Sequence, residues 1–191
     1  MRRFVMMAVI GGLLLGGTAL AQPPAEKPSP IRFTAFAVNL GTGPQAGTLD
    51  IVLERLSSDE ERATLIAAFV EKGQDGLLKA LQKVKPRVGF IRTPNSLGYD
   101  LQYAFRFVNA DGSSRIVIST DRWVGYWEAR NQPRTMDYPF TMIEMRLDKD
   151  GKGEGRMAVG TKISKSKDGK TVELENYGIS PVALKNIKLS K

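Results

Sequence analysis

The chain has no cysteine and no histidine in 191 residues. Without cysteine there are no disulfide staples, no thiolate nucleophiles or metal ligands, and no lipid attachment through sulfur. Without histidine, imidazole metal sites and Ser-His-Asp hydrolysis are excluded too. Tryptophan is scarce, with only two residues. A disordered or fibrous chain is excluded by what is present, since 42% of residues are apolar and 25% charged.

The N-terminus reads as a secretory signal peptide over 1–21. Arg2 and Arg3 form a basic start, 4–15 is an apolar run, and Ala19-Leu20-Ala21 supplies small residues for cleavage before Gln22. The run is shorter than the roughly 20 residues of a membrane span, is interrupted by Gly11-Gly12 and is followed by Gly16-Gly17, so no stable span is expected after cleavage. The residues around the arginine pair do not complete a twin-arginine signal, and no cofactor motif follows it. The protein is therefore expected to be exported, periplasmic or extracellular, and to use no cofactor. Segment 22–30 (QPPAEKPSP) carries four prolines and reads as a linker. From 31 to 191 no second linker and no internal repeat interrupts the chain, which reads as one β-rich domain.

The mature charge is +6, and the excess is concentrated in 146–191, with 11 basic and six acidic residues. Such a stripe attracts anionic lipid, wall polymer or nucleic acid. Here the lysines alternate with apolar residues, which marks a solvated sheet face, and nucleic acid is not an expected partner of an exported chain.

Residues 31–40 and 48–56 are rich in β-branched and aromatic side chains and flank the loop GTGPQAG, so they read as a first strand pair. The period then changes. Ser58 and Glu61 form a capping box, Leu65, Ile66, Phe69 and Val70 recur at helical spacing, and Gly73 stops the run. A second apolar stripe over 75–84, before Pro86, completes a predicted helical hairpin. Beyond it, 88–93, 99–109, 115–122, 140–148, 154–164, 171–177 and 181–189 return to period two. In 99–109 the alternation places Leu101, Tyr103, Phe105 and Phe107 on one face, expected to be the inner one. Asp-Gly turns join several of these runs. A change of parity between Leu184 and Ile187 predicts a bulge near Lys185-Asn186. The fold class is α+β and β-dominated: an antiparallel meander sheet of eight or nine strands, either a curved sandwich or a partly closed barrel, with one inserted helical hairpin.

The candidate site is DRWVGYWEARNQPRTMDYP (121–139), which gathers both tryptophans with arginines and tyrosines. Trp123, Tyr126, Trp127, Arg130, Asn131 and Arg134 supply flat faces for rings, sugars or cations and forks for carboxylate or phosphate. The competing reading is a small local core in which Trp123 and Trp127 pack beneath the loop. Arg92, in the turn-rich 92–98 connection, is a rim donor if the topology brings it beside this loop. Segment 148–154 resembles a calcium loop only superficially, since Lys152 and Gly151 break the ligand register, so no metal site is expected. Catalysis is not expected either. Without histidine or cysteine, the acids Asp121, Glu128 and Asp137 would have to form a carboxylate pair about 5–9.5 Å apart, and each lies within three residues of an arginine.

The stretches GTLDIVLERLSSDEERATL, RVGFIRTPNSLGYDLQYA, WEARNQPRTMDYPF and IEMRLDKDGKGEG resemble a family of exported bacterial proteins of unknown function. That resemblance implies export and one domain, and no activity. Two functions follow from the residues. One is an exported binding module that holds a small acidic or ring-bearing ligand, lipid or glycan through the aromatic and arginine-rich loop. The other is a structural or protein-interaction component of the envelope without a ligand pocket, since tryptophan, tyrosine and arginine also anchor interfaces.

Overall fold

A computed structural model describes residues 29–39, 45–94, 96–124, 137–166, 172–177 and 180–190. In chain order the elements are β1 (Ile31–Asn39), β2 (Gln45–Leu53), α1 (Asp59–Gln82), β3 (Gly89–Arg92), β4 (Tyr99–Leu101), β5 (Tyr103–Val108), β6 (Ser114–Thr120), β7 (Phe140–Leu147), β8 (Lys152–Lys165), β9 (Val172–Asn176) and β10 (Val182–Ser190). All strand pairings are antiparallel, in the order β4-β3-β2-β1-β10-β8-β7-β6-β5, with β9 on the far part of β8.

The two ends of that order, β4 and β5, are consecutive in the chain and separated only by Gln102. One bent strand thus pairs with β3 through its first part and with β6 through its second, which bends the sheet into a nearly closed barrel rather than a sandwich. Single hydrogen bonds complete the seam: Gln102 donates its N–H to the Ser119 carbonyl at 3.1 Å, and Ser57 donates to the Ala104 carbonyl at 2.7 Å. Closure leaves few free edges.

The interior is filled by side chains. Ile51, Leu53, Ile91, Leu101, Ile116, Ile118, Ile143, Met145, Leu184 and Ile187 are all at most 1% exposed. Outward positions of β7, β8 and β10 carry Glu144, Arg146, Glu154 and Lys185, which form ion pairs. An apolar interior inside a charged wall is the reverse of a barrel built to face lipid. Among the described residues no helix is long and apolar enough to cross a membrane.

The expected bulge sits where the parity changes. Asn186 has φ 50°, the β10–β8 register shifts between Leu184 and Ile187, and both of these side chains point into the core. The helical insertion runs as one element, Asp59–Gln82, in which two helices meet at Gly73 (φ 60°, ψ −149°), the glycine at which the first was expected to stop. One feature differs from the expected pattern. In the 99–109 run, Leu101 and Ala104 are both buried inside, so the irregularity at Gln102 flips the parity and turns Tyr103, Phe105 and Phe107 to the outer face.

Helix α1 covers part of this outer face. Leu65, Phe69, Leu78 and Leu81 pack on Phe140 and Ile163, with Tyr103 and Met142 at the margin, forming a second core outside the barrel. Its start is held by the capping box: Ser58 Oγ accepts from Glu61 N at 3.2 Å, and Glu61 Oε2 accepts from Ser58 N at 3.0 Å. Arg55 adds a two-pronged bond to Glu61 (2.7 and 2.9 Å) and donates to the Pro86 carbonyl at 2.7 Å, tying the two ends of the helical insertion together.

The Arg55 hydrogen bond, helped by Ser58 N and opposed by burial, holds the Glu61 carboxyl below its ordinary value. A group depressed in the folded state contributes stability above its unfolded pKa and loses it as pH falls through the folded one. Glu61→Gln keeps a capping acceptor but removes the charge, and is expected to cost about 1–2 kcal/mol at neutral pH. In thermal melts from pH 7 to pH 3, the gap to wild type should be full above pH about 5 and should close toward pH 3. A gap unchanged at pH 3 would disprove the role of the ionised carboxylate.

Candidate functional site

The aromatic segment begins at the end of β6 and returns to the start of β7. Tyr126, Trp127, Arg130, Asn131 and Arg134 lie outside the described residues, as does Asn95. The two described ends are tied into the fold. Thr141 Oγ1 accepts from Val124 N at 3.2 Å and donates to the Arg122 carbonyl at 2.8 Å. Gln74 of α1 donates to the Asp137 carbonyl at 3.0 Å and accepts from Ile163 N at 3.0 Å, joining helix, loop and β8.

Trp123 is a core residue at 6% exposure. Its Nε1 donates to the Tyr138 carbonyl at 2.6 Å, and its ring lies over Gly160, where an added Cβ would come within 2.9 Å of it. Gly160 takes φ 68° in the bulge between Val159 and Thr161, so absence of a side chain serves both the backbone and the tryptophan. Tyr177 packs on Trp123 at 5.7 Å and on Tyr138 at 5.2 Å between ring centres. The Tyr138 hydroxyl donates to Glu175 at 2.6 Å, and that bond pushes its pKa up. Trp123 is thus placed in the main core of the barrel, with its indole donor already used. Arg92 stands on the outer face of β3, 3.6 Å from Asp50 directly across the ladder and over the Phe90 ring at 5.5 Å.

A filled barrel leaves its outer surface for ligands. Between α1 and the wall runs a groove of about 190 Å³ lined by Leu65, Ile66, Phe69, Leu77, Leu81, Tyr103, Met142, Ile163 and Val172, with Arg62 at its rim. Ile66 and Val172 remain 47% and 55% exposed, so apolar surface stays in contact with water. The groove lies where amphipathic α1 packs its apolar side against the wall. The Arg62 guanidinium lies over Phe105 at 5.1 Å and Phe107 at 5.8 Å, and among the described residues no carboxylate is within salt-bridge distance of it. Burial pushes the Tyr103 hydroxyl above its usual value, while the charge and hydrogen bond of Arg62 pull it back.

This groove escaped the sequence because its aromatic stripe had been expected inside the barrel. The helical stripe was legible, but the outward turn of Tyr103, Phe105 and Phe107 depends on the seam at Gln102. The turn at 148–154 is also placed. The carboxylate of Asp148 accepts from the N–H groups of Asp150 and Lys152, both at 2.9 Å, as an ordinary hairpin turn. Among the described residues no three acidic side chains cluster as metal ligands. Compared with known proteins, the chain matches no family model, no curated protein and no solved structure.

Proposed function

We propose that the protein is an exported binding module that holds a small anionic amphiphile, apolar tail in the groove between α1 and the barrel wall and acidic head at Arg62. The observation that carries this is the pairing of an almost wholly apolar, partly wet groove with a rim guanidinium that lacks a carboxylate partner among the described residues. Burial of an alkyl or aryl group there removes apolar surface from water from both sides. The arginine fork, held in place by Phe105 and Phe107, then selects a carboxylate. Export rests on the basic start, apolar run and small-residue cleavage site of 1–21. The groove replaces the loop of 121–139 as the principal contact, and that loop is not needed for the reading.

The test is fluorescence titration with 1-anilinonaphthalene-8-sulfonate, a ring-bearing organic anion, followed by displacement with decanoate and with decanol. Decanoate is expected to displace the dye more strongly than decanol. Ile66→Glu should abolish dye binding without lowering the melting temperature, since Ile66 is half exposed. Arg62→Gln should weaken decanoate about tenfold, in line with one charge-assisted bond, and leave decanol unchanged. Equal displacement by both chains, dye binding untouched by Ile66→Glu, or a groove closed by a second copy in sedimentation would overturn the reading.

A further inference from the structure

We propose that the open edge of β9 docks an extended, basic segment of a partner protein, which adds to the sheet as a further strand. β9 pairs with the far part of β8, setting Asn176 opposite Thr161, Leu174 opposite Ile163 and Val172 opposite Lys165, and among the described residues no strand lies on its other side. Two hydrogen bonds fix which backbone groups are spare. Tyr177 donates its N–H to the Gly160 carbonyl at 2.9 Å, and Ile163 donates its N–H to the Gln74 side chain at 3.0 Å, away from β9. In an antiparallel ladder each residue sends its N–H and C=O to the same side, and successive residues alternate. Glu173 and Glu175 are therefore bonded to β8, while Val172 and Leu174 turn their N–H and C=O groups outward, where nothing among the described residues pairs with them. Gln74 occupies the opposite edge of the pair at Ile163, and the β9 edge has no such cover among the described residues. A strand edge with unpaired backbone groups is a template for another strand.

The side chains decide what fits. On the face that carries Ile163 toward α1, Val172 and Leu174 remain 55% and 56% exposed. On the opposite face Glu173 and Glu175 are both exposed. Their neighbours there are Ser164 and Lys162 across the ladder, and Tyr138. The Tyr138 hydroxyl donates to Glu175 at 2.6 Å, and the Lys162 ammonium lies over the Tyr138 ring at 6.0 Å. Glu173 has no cation within salt-bridge distance among the described residues. A second copy is a poor occupant, because two β9 strands paired antiparallel with their apolar faces matched set glutamate opposite glutamate in the registers that pair most of the strand. A segment with lysine or arginine at alternate positions sets cations against those glutamates instead, and places its apolar side chains beside Val172 and Leu174. This surface shares Ile163 and Val172 with the groove but does not rest on the amphiphile reading, since the pairing runs through the backbone edge of β9.

The test is fluorescence anisotropy of the full chain with a labelled, end-blocked peptide of alternating lysine and valine, beside the same peptide with glutamate in place of lysine. The lysine peptide is expected to bind about tenfold more tightly. That preference runs against the net positive charge of the protein, which by itself would favour the glutamate peptide. Glu173→Lys should reverse it. A lysine peptide N-methylated at every amide keeps its charge, loses its ladder donors and should not bind. Leu174→Pro removes an outward N–H that β8 does not use, so the melting temperature should stay within a few degrees of wild type while lysine-peptide binding is lost. Equal affinity for the two peptides, an unchanged preference in Glu173→Lys, or binding retained by the N-methylated peptide or by Leu174→Pro would overturn the proposal. So would a dimer in sedimentation that Leu174→Pro dissolves, which would give the edge to a second copy.

Discussion

Trp123→Ala is expected to lower the melting temperature by about 10 °C or more, the result of removing a buried aromatic worth about 3–5 kcal/mol from a domain of this size. The side chain is 6% exposed, belongs to the main core, covers Gly160 and donates to the Tyr138 carbonyl. Neighbouring strands cannot collapse into the space, because β6, β7 and β8 are locked in register around it. Trp123→Phe separates the contributions: it refills much of the volume but leaves the Tyr138 carbonyl without its donor, and should cost about 1–2 kcal/mol. Thermal melts followed by circular dichroism measure both. A Trp123→Ala protein that melts within two or three degrees of wild type would mean that the indole is not part of the core and would return it to the list of ligand contacts.

Gly153→Val is expected to be more damaging still, removing the cooperative transition altogether. A Cβ on Gly153 would stand 1.9 Å from the Arg146 carbonyl oxygen and 3.1 Å from the Leu147 Cα, both backbone atoms of the adjacent strand. No rotamer relieves such an overlap, so β7 and β8 would have to part at a point where the barrel curves. Gly155 meets the Glu144 carbonyl oxygen at 2.4 Å in the same way, so this stretch of β8 approaches β7 too closely for side chains on its inner face. A loss above about 4 kcal/mol is a large part of the 5–15 kcal/mol that holds a typical domain together. Gly47→Val is the matched control in β2, since nothing lies within 4 Å of its added Cβ, and it should change stability by less than about 1 kcal/mol. Equal behaviour of the two variants in denaturant unfolding would show that the close approach at Gly153 relaxes freely.

Where residues adjacent in the chain decide the structure, the sequence was readable. The Ser58–Glu61 capping box forms because both partners lie within one turn. The hairpin turns at Gly112 (φ 82°) and Gly151 (φ 75°) sit at the Asp-Gly positions, where glycine adopts the required backbone without strain. The bulge at Asn186 was visible as a lost parity between two apolar residues three apart. Period two likewise marked most of the strands, because a half-buried strand alternates whatever it pairs with.

Which face of a strand turns inward is another matter, and β5 shows why. Its alternation was correct, yet the larger aromatic side chains face out and Ala104 faces in, because Gln102 interrupts the strand where its pairing passes from β3 to β6. That exchange is set by partners at the two ends of a ten-stranded sheet, and no local residue announces it. The break at Gly73 was legible, since the glycine ends the first helical run, but the packing of both helical halves on the barrel wall belongs to the tertiary structure.

The sequence by itself therefore determined the absence of thiol and imidazole chemistry, the β-dominated class, the caps, turns and bulge, and the excess of positive charge. Those depend on composition and on interactions within a few residues. Barrel rather than sandwich, the burial of Trp123, the groove beneath α1 and the bond between Gln74 and Ile163 were decided only by the tertiary structure. Each is a relation between strands or a helix distant in the chain, created when burial of apolar surface selects one closed pairing from many that share the same period.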